Sequence, residues 1–254
     1  MDKLYERKVV NIIYADGSEK TDEECILKEH TLQIIVNEKP VMRLICTKQH
    51  LNELVTGRLY TEGIISSAAE IEKIIFCKYQ NEASVFLDHK IEWQDSLYEN
   101  KSCCTGNRTF YRSQKVTDEE ILHTLPKVEI KNEWIFSLAQ AFDKDTELHD
   151  KTGATHSCML AKGNNVLFTC EDIGRHNTID KAAGYALMND INLSECMIYT
   201  SGRVPEDMVQ KVIAAGIPVL ISKSVPTASS IELSKKYGLT LICRARRDSF
   251  TVTV

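Results

Sequence analysis

Cys196-Met197-Ile198-Tyr199-Thr200 is an apolar run that breaks into the polar loop Ser201-Gly202-Arg203-Val204-Pro205; a helical pattern then ends at Gly216, and Pro218-Val219-Leu220-Ile221-Ser222 is apolar again. Short apolar runs bounded by Gly and Pro read as strands covered on both faces. The stretch between them, with Pro at its start and Gly past its end, reads as a helix. Toward the C-terminus the alternation continues with a helix near 229–237, a strand over 240–244 and a last strand over 250–254. Toward the N-terminus lie strands over 157–162 and 166–170 joined by Gly163-Asn164-Asn165, a helix over 177–188 and an earlier one over 131–142. Such alternation predicts an α/β fold, a sheet with helices on both faces.

The first part of the chain has a different texture. Alternation over 8–14 stops at Asp16-Gly17, and strands over 31–36 and 41–46 form a hairpin across Asn37-Glu38-Lys39-Pro40. Leu51, Leu54, Val55 and Leu59 recur at helical spacing, with Thr47 as the expected N-cap and Gly63 past the end of a helix of about four turns. A second strand pair, 71–79 and 84–89, spans Gln80-Asn81-Glu82. Residues 91–116 keep neither period and read as a long loop, and Thr117-Asp118-Glu119-Glu120 opens a short helix that stops before Pro126. The expected division is a β-rich α+β domain over 1–98, a mobile cysteine loop over 99–116 and an α/β domain over 117–254.

Composition narrows the function. At 43% hydrophobic and 26% charged, with no apolar run long enough for a bilayer span, the 254 residues are expected to form no membrane insertion. A net charge of -5 argues against a nucleic-acid coat. The opening Met1-Asp2-Lys3-Leu4-Tyr5-Glu6-Arg7-Lys8 carries no export signal, so a cytoplasmic location is expected. Nine irregularly spaced cysteines, none in a Cys-x-x-Cys pair, predict neither a disulfide framework nor a structural metal. Cys25, Cys46, Cys77, Cys196 and Cys243 lie in strand-like segments and are expected to be packing residues.

In an open α/β sheet, ligands bind beyond the carboxyl ends of the strands. Three such loops stand out: Glu171-Asp172-Ile173-Gly174-Arg175-His176-Asn177, Ser201-Gly202-Arg203 and Lys223-Ser224-Val225-Pro226-Thr227. Their Gly, Ser, Thr, Arg and His content suits an anionic, phosphate-bearing ligand at helix N-termini, although the same residues also serve as caps and turns. Arg244-Ala245-Arg246-Arg247 adds three guanidiniums, which fit phosphate or stack on a base, with a solvated turn as the alternative reading. His156 and His176 would hydrogen-bond phosphate, protonate a leaving group, or simply be satisfied structurally; Asp180 and Lys181 are as well suited to anchoring the loop. In the unpatterned stretch, Lys101-Ser102-Cys103-Cys104-Thr105-Gly106-Asn107-Arg108 places two thiols among cations that would favour a thiolate.

Thr152-Gly153-Ala154-Thr155-His156, the run from Glu171 through Asn177 to Thr178-Ile179-Asp180-Lys181, and Ser201-Gly202-Arg203 resemble the signature blocks of the FdhD/NarQ family. Gly57-Arg58-Leu59-Tyr60-Thr61-Glu62-Gly63-Ile64-Ile65, Ala215-Gly216-Ile217-Pro218-Val219-Leu220 and Pro226-Thr227 extend the resemblance along most of the chain. It implies a sulfurtransferase that takes persulfide sulfur from a cysteine desulfurase and passes it to the molybdenum cofactor, in its bis-guanine-dinucleotide form, for formate dehydrogenase. It also implies a cytidine-deaminase-like three-layer α/β/α domain without zinc ligands, beside the smaller N-terminal domain, in a homodimer. The family's cofactor segment maps to Ile242, Cys243, Arg244, Ala245, Arg246 and Arg247, with help expected from His156, from Glu171, Asp172, Gly174, Arg175, His176 and Asn177, and from Ser201, Gly202 and Arg203.

The family's persulfide loop often reads Cys-x-x-Cys and maps to Cys103-Cys104 here. The departure leaves no second thiol at relay spacing, and a single persulfide would suffice. Cys104 is the first candidate because Thr105-Gly106 would let backbone N-H groups approach a persulfide anion; Cys103 is its rival. A non-catalytic chaperone that holds the cofactor and docks on the dehydrogenase would use the arginines and not the cysteines. A nucleotide deaminase is disfavoured by the missing zinc motif.

Overall fold

The structure is a computed structural model that describes residues 4–99, 107–113, 122–143 and 147–254. The architecture is mixed α/β, with two six-stranded sheets and a separate two-stranded ribbon. In chain order the strands are β1 (Tyr5–Ile13), β2 (Glu19–Leu27), β3 (His30–Val36), β4 (Lys39–Cys46), β5 (Ile71–Phe76), β6 (Glu82–Leu87), β7 (Trp93–Glu99), β8 (Arg108–Ser113), β9 (His156–Lys162), β10 (Asn165–Asp172), β11 (Met197–Thr200), β12 (Val219–Ser222), β13 (Thr240–Cys243) and β14 (Thr251–Val252). The helices are α1 (Leu51–Thr61), α2 (Asn132–Phe142), α3 (Glu147–Thr152), α4 (Arg175–Met188), α5 (Glu206–Ala214) and α6 (Ala228–Tyr237). No helix among the described residues is long and apolar enough to cross a membrane.

The first sheet runs β5-β6-β3-β4-β8-β7. Its central hairpin turns on two residues, Asn37 and Glu38, both left-handed at φ 44° and 69°, the conformation that matches strand twist. Leu32, Ile34 and Val36 of β3 and Val41, Met42, Leu44 and Cys46 of β4 are buried, and α1 closes that core with Leu51, Leu54, Val55 and Leu59. The helix is one turn shorter than expected: it starts at Leu51, and the residue before it, His50, is left-handed with no side-chain cap. Thr47 is not its cap. Its N-H and hydroxyl instead donate to Asp172 Oδ2, each at 3.1 Å.

Part of the unpatterned stretch is sheet. β7 and β8 are an edge pair, and β8 meets β4 through only two register pairs, Met42 with Thr109 and Arg43 with Arg108. An edge strand needs no continuous apolar face, which is why the β7 and β8 segments carry no period. Trp93 and Tyr111 pack on the first core, and the Lys39 ammonium stands 3.6 Å from the Tyr111 ring centre. β2, whose Glu19-Lys20-Thr21-Asp22-Glu23-Glu24 start is charged, and the six-residue α3 were also unanticipated. The start of the helix expected at Thr117 and the Cys103-Cys104 pair lie outside the described residues, and residues 122–125, where that helix was expected to end, are not helical.

The second sheet runs β10-β9-β11-β12-β13-β14, with β11, β12 and β13 parallel and the other pairs antiparallel. Every residue of β11 and β12 is buried. Cys158, Leu160, Ile198, Leu220 and Leu241 face α4, α5 and α6, whereas Met159, Ala161, Met197, Tyr199, Val219 and Ile221 face α2, so both faces are covered.

The two sheets are joined where α1 crosses α4. A Cβ on Gly57 would lie 1.8 Å from the Asp180 carbonyl oxygen, and one on Gly184 would lie 1.9 Å from that of Glu53, so only glycine permits this backbone contact. Around it, buried Asp180 accepts from Thr61 Oγ1 at 2.7 Å and Lys211 Nζ at 2.6 Å and pairs with Arg58 at 3.4 Å. Arg58 also pairs with Glu62 at 3.0 Å.

Candidate functional site

The parallel strands of the second sheet end together at Thr200, Ser222 and Cys243, beside the start of β9 at His156. Beyond that edge opens a cleft of about 1030 Å³, lined by residues from all of these strand ends and from the end of α2. Its polar lining includes Asp143, His149, Asp150, Thr155, His156, Ser201, Lys223, Ser224, Arg244 and Arg246. This is the position that an open α/β sheet reserves for ligands.

Four expected residues face the cleft: His156, Ser201, Arg244 and Arg246. Burial, reinforced by the nearby charges of Arg175 and His149, holds the His156 imidazole below its ordinary pKa, so it is a neutral hydrogen-bonding group near pH 7. Ser201 is fixed against β9, its Oγ accepting from the Ser157 N-H at 3.0 Å and its own N-H donating to the Ser157 carbonyl at 3.1 Å. Arg244 is left-handed at φ 50°, and its N-H donates to the Ser224 carbonyl at 2.9 Å. Strain of about 1 kcal/mol in a non-glycine residue is thus held by the strand-end loop, which aims the side chain outward. Arg246 donates to the carbonyls of Lys223 and Ala245. Arg247 stands just behind, its Nε 2.6 Å from Asp143.

The other expected contacts are used elsewhere. Ile242 and Ala245 are in the core under α2, and Cys243 is in the opposite core, where burial pushes its thiol up to about 11. Ile242 and Cys243 alternate between two covered faces of β13 and Ala245 packs beyond its end, so none of these three side chains lines the cleft. Glu171 accepts the N-H groups of Leu148 and His149 at 2.8 and 2.7 Å and the Thr155 hydroxyl at 3.0 Å, so it caps α3 from β10. Asp172 is fully buried and accepts from Thr47, Gly174, Asn177 and Lys181, the last at 2.6 Å. Asn177 donates to the Ile45 carbonyl and accepts from Asn107 at 3.0 Å. Gly174 caps α4, His176 pairs with Asp207 at 2.9 Å, and Gly202 packs 3.2 Å from the Arg175 side chain, measured to a Cβ it lacks. Arg203 is exposed outside the cleft lining.

Sequence reasoning missed Asp143, Asp150 and His149. No motif marks them; α2 and α3 bring them to the strand ends only on folding. His149 Nδ1 lies 2.7 Å from the Thr155 carbonyl, which can only accept, so that nitrogen carries the proton. Lys223 belongs to a loop already read as ligand-facing, and its Nζ lies 2.5 Å from Asp143. Lys223, Arg244 and Arg246 give the cleft a cationic wall suited to phosphate oxygens.

The FdhD/NarQ family matches residues 27–253. A sulfur carrier protein FdhD from Bacillus pumilus is 31% identical over 92% of this chain and 88% of its own length, and one from Bacillus subtilis is 29% identical over 94% and 92%. The crystal structure of a protein from Desulfotalea psychrophila, described as a formate dehydrogenase accessory protein, superposes with a TM-score of 0.81 at 25% identity, covering 99% of this chain and 97% of that one. A match that runs through both sheets and every strand end of the cleft shows that this chain belongs to the FdhD/NarQ family.

Proposed function

We propose that the chain is a sulfur carrier that accepts a persulfide sulfur from a cysteine desulfurase on Cys104, or on Cys103, and passes it to a molybdenum cofactor in bis-guanine-dinucleotide form destined for formate dehydrogenase. The observation that carries this reading is the placement of Asn107. That residue follows the thiol segment directly, is buried, and donates to Asn177, which donates to Asp172, the strand partner of His156 on the cleft wall. Cys104 stands three residues before it in the sequence. Asn107, the described residue that follows the thiol segment in sequence, is thereby tied to the strand end that carries His156.

In the first step a thiolate attacks the outer sulfur of the donor persulfide; the new S-S bond forms as the donor S-S bond breaks, and the donor leaves as a thiolate. Lys223, Arg244 and Arg246 then hold the phosphates of the cofactor substrate, with His156 as a neutral hydrogen-bond partner. The chemistry fits a reducing cytoplasm, and the seven cysteines among the described residues are all unpaired thiols. A homodimer follows the family reading.

Intact-mass spectrometry after incubation with a cysteine desulfurase and cysteine tests the proposal. A gain of about 32 Da that disappears in Cys104→Ala assigns the carrier, and disappearance only in Cys103→Ala moves it by one residue. Full activity of a formate dehydrogenase client matured with the Cys103→Ala/Cys104→Ala double variant would sink the proposal.

A further inference from the structure

Asp143 closes α2 at its C-terminal end, where the helix's own partial negative charge disfavours a carboxylate. Its position is accounted for by cations instead. Oδ1 lies 2.5 Å from Lys223 Nζ and Oδ2 lies 2.6 Å from Arg247 Nε, so one carboxylate bridges two positive side chains from two different strand-end loops. The Lys223 carbonyl in turn accepts from Arg246, which brings a third cation to the same corner. Asp143, Lys223 and Arg246 all line the cleft, and the Asp143 side chain is 24% exposed, so solvent and ligands reach it.

An ammonium and a guanidinium converging on one point form an oxyanion seat. In the free chain the protein's own carboxylate takes that seat. We propose that Asp143 is a specificity-determining residue of the cleft: it acts as an internal anion in the subsite made by Lys223 and Arg247, and a ligand oxyanion enters that subsite only by displacing it. This inference rests on the reading of the cleft as an anion site and adds the group that competes there. A small monoanion offers the two cations little that the carboxylate does not already supply. A polyanion that also engages Arg244 and Arg246 gains contacts Asp143 cannot make, so the competition excludes simple anions and admits an extended phosphate-bearing substrate.

Isothermal titration of the full chain with inorganic pyrophosphate as the probe tests the competition, using wild type, Asp143→Asn, Asp143→Ser and Arg246→Ala, each first checked by thermal melting. Both neutral variants are expected to bind pyrophosphate about tenfold tighter than wild type, the size of effect given by removing a like charge a few ångströms from the ligand at a partly solvated site. Arg246→Ala is expected to bind it more weakly. If one neutral variant does not fold, the other decides. Measurable wild-type binding with equal or weaker binding in the folded neutral variants overturns the proposal, because the carboxylate would then be holding the cations in place for the ligand. Absence of binding to pyrophosphate and to GDP in wild type and neutral variants alike overturns the anion-site reading itself, and this inference with it.

Discussion

The junction between α1 and α4 and the cleft beyond β11, β12 and β13 use the same kinds of side chain in opposite ways. At the junction, Asp172 accepts from Thr47, Gly174, Asn177 and Lys181, and Asp180 is surrounded by Thr61, Lys211 and Arg58, so each carboxylate is enclosed by the protein's own groups. In the cleft, Asp143 bridges Lys223 and Arg247 at the rim of an open space, and Arg244 and Arg246 point into that space from a loop. Burial separates the two. A buried ion pair must be complete, since a missing partner leaves a desolvated charge, whereas a rim pair can exchange its partner for a ligand.

The comparison breaks most visibly at the glycines. Gly184→Ala places a methyl 1.9 Å from the Glu53 carbonyl oxygen, backbone that cannot turn aside. α1 and α4 must separate, which also opens the Asp180 cluster, and a loss on the order of 5 kcal/mol is expected. Thermal melting and soluble yield check this; a variant that melts within a few degrees of wild type would show the junction to be plastic.

Asp180→Asn is the next largest. It keeps the shape but leaves buried Lys211 without its carboxylate and Arg58 with Glu62 alone, a loss of about 3 kcal/mol. The same group predicts an acid limb. Burial works to raise the Asp180 carboxyl, but Lys211 and Arg58, with hydrogen bonds from Lys211 and Thr61, hold it below the ordinary range. A carboxyl lowered in the folded state stabilises the fold at neutral pH, and that stability is lost as pH falls from about 5 through the lowered value. Urea midpoints measured across that window are expected to fall for wild type and to be flatter for Asp180→Asn; parallel slopes would place the acid sensitivity elsewhere.

This division explains what was legible in the sequence. The β11-α5-β12-α6-β13 alternation could be read because strands buried on both faces carry unbroken apolar runs. β7 and β8 could not, because a pair at a sheet's edge needs no continuous apolar face, and β2 begins with a charged stretch that resembles a loop. For the site, the strand-end rule pointed to the edge where the cleft opens, and Arg244, Arg246, Ser201 and His156 line it. The loop from Glu171 to Asn177 pointed to ligand contact, yet folding turns its Asp172 and Asn177 inward to the junction, beside Asp180 and Lys181. Residue type alone does not tell a buried network from a binding site; partners distant in sequence, such as Thr47 and Asn107, decide it. Asp143 and His149 had no signal, because helix ends brought to the cleft by tertiary packing leave no local pattern.

The smallest effect sharpens the comparison furthest. Arg244 is left-handed at φ 50° and sits on the cleft wall, so its backbone strain and its charge can be removed by one substitution. Arg244→Gly relieves the strain at some cost in unfolded-chain entropy, and a net gain of about 0.5 kcal/mol is expected. The same change removes a guanidinium from the cleft and is expected to weaken pyrophosphate binding severalfold. At the junction every polar substitution should lose stability, whereas here stability should rise while binding falls. Differential scanning calorimetry paired with titration reads both quantities on one sample. A variant that binds as wild type would take Arg244 out of the anion site. One that melts lower would mean that the side chain, and not the Ser224 hydrogen bond alone, holds the loop in its left-handed turn.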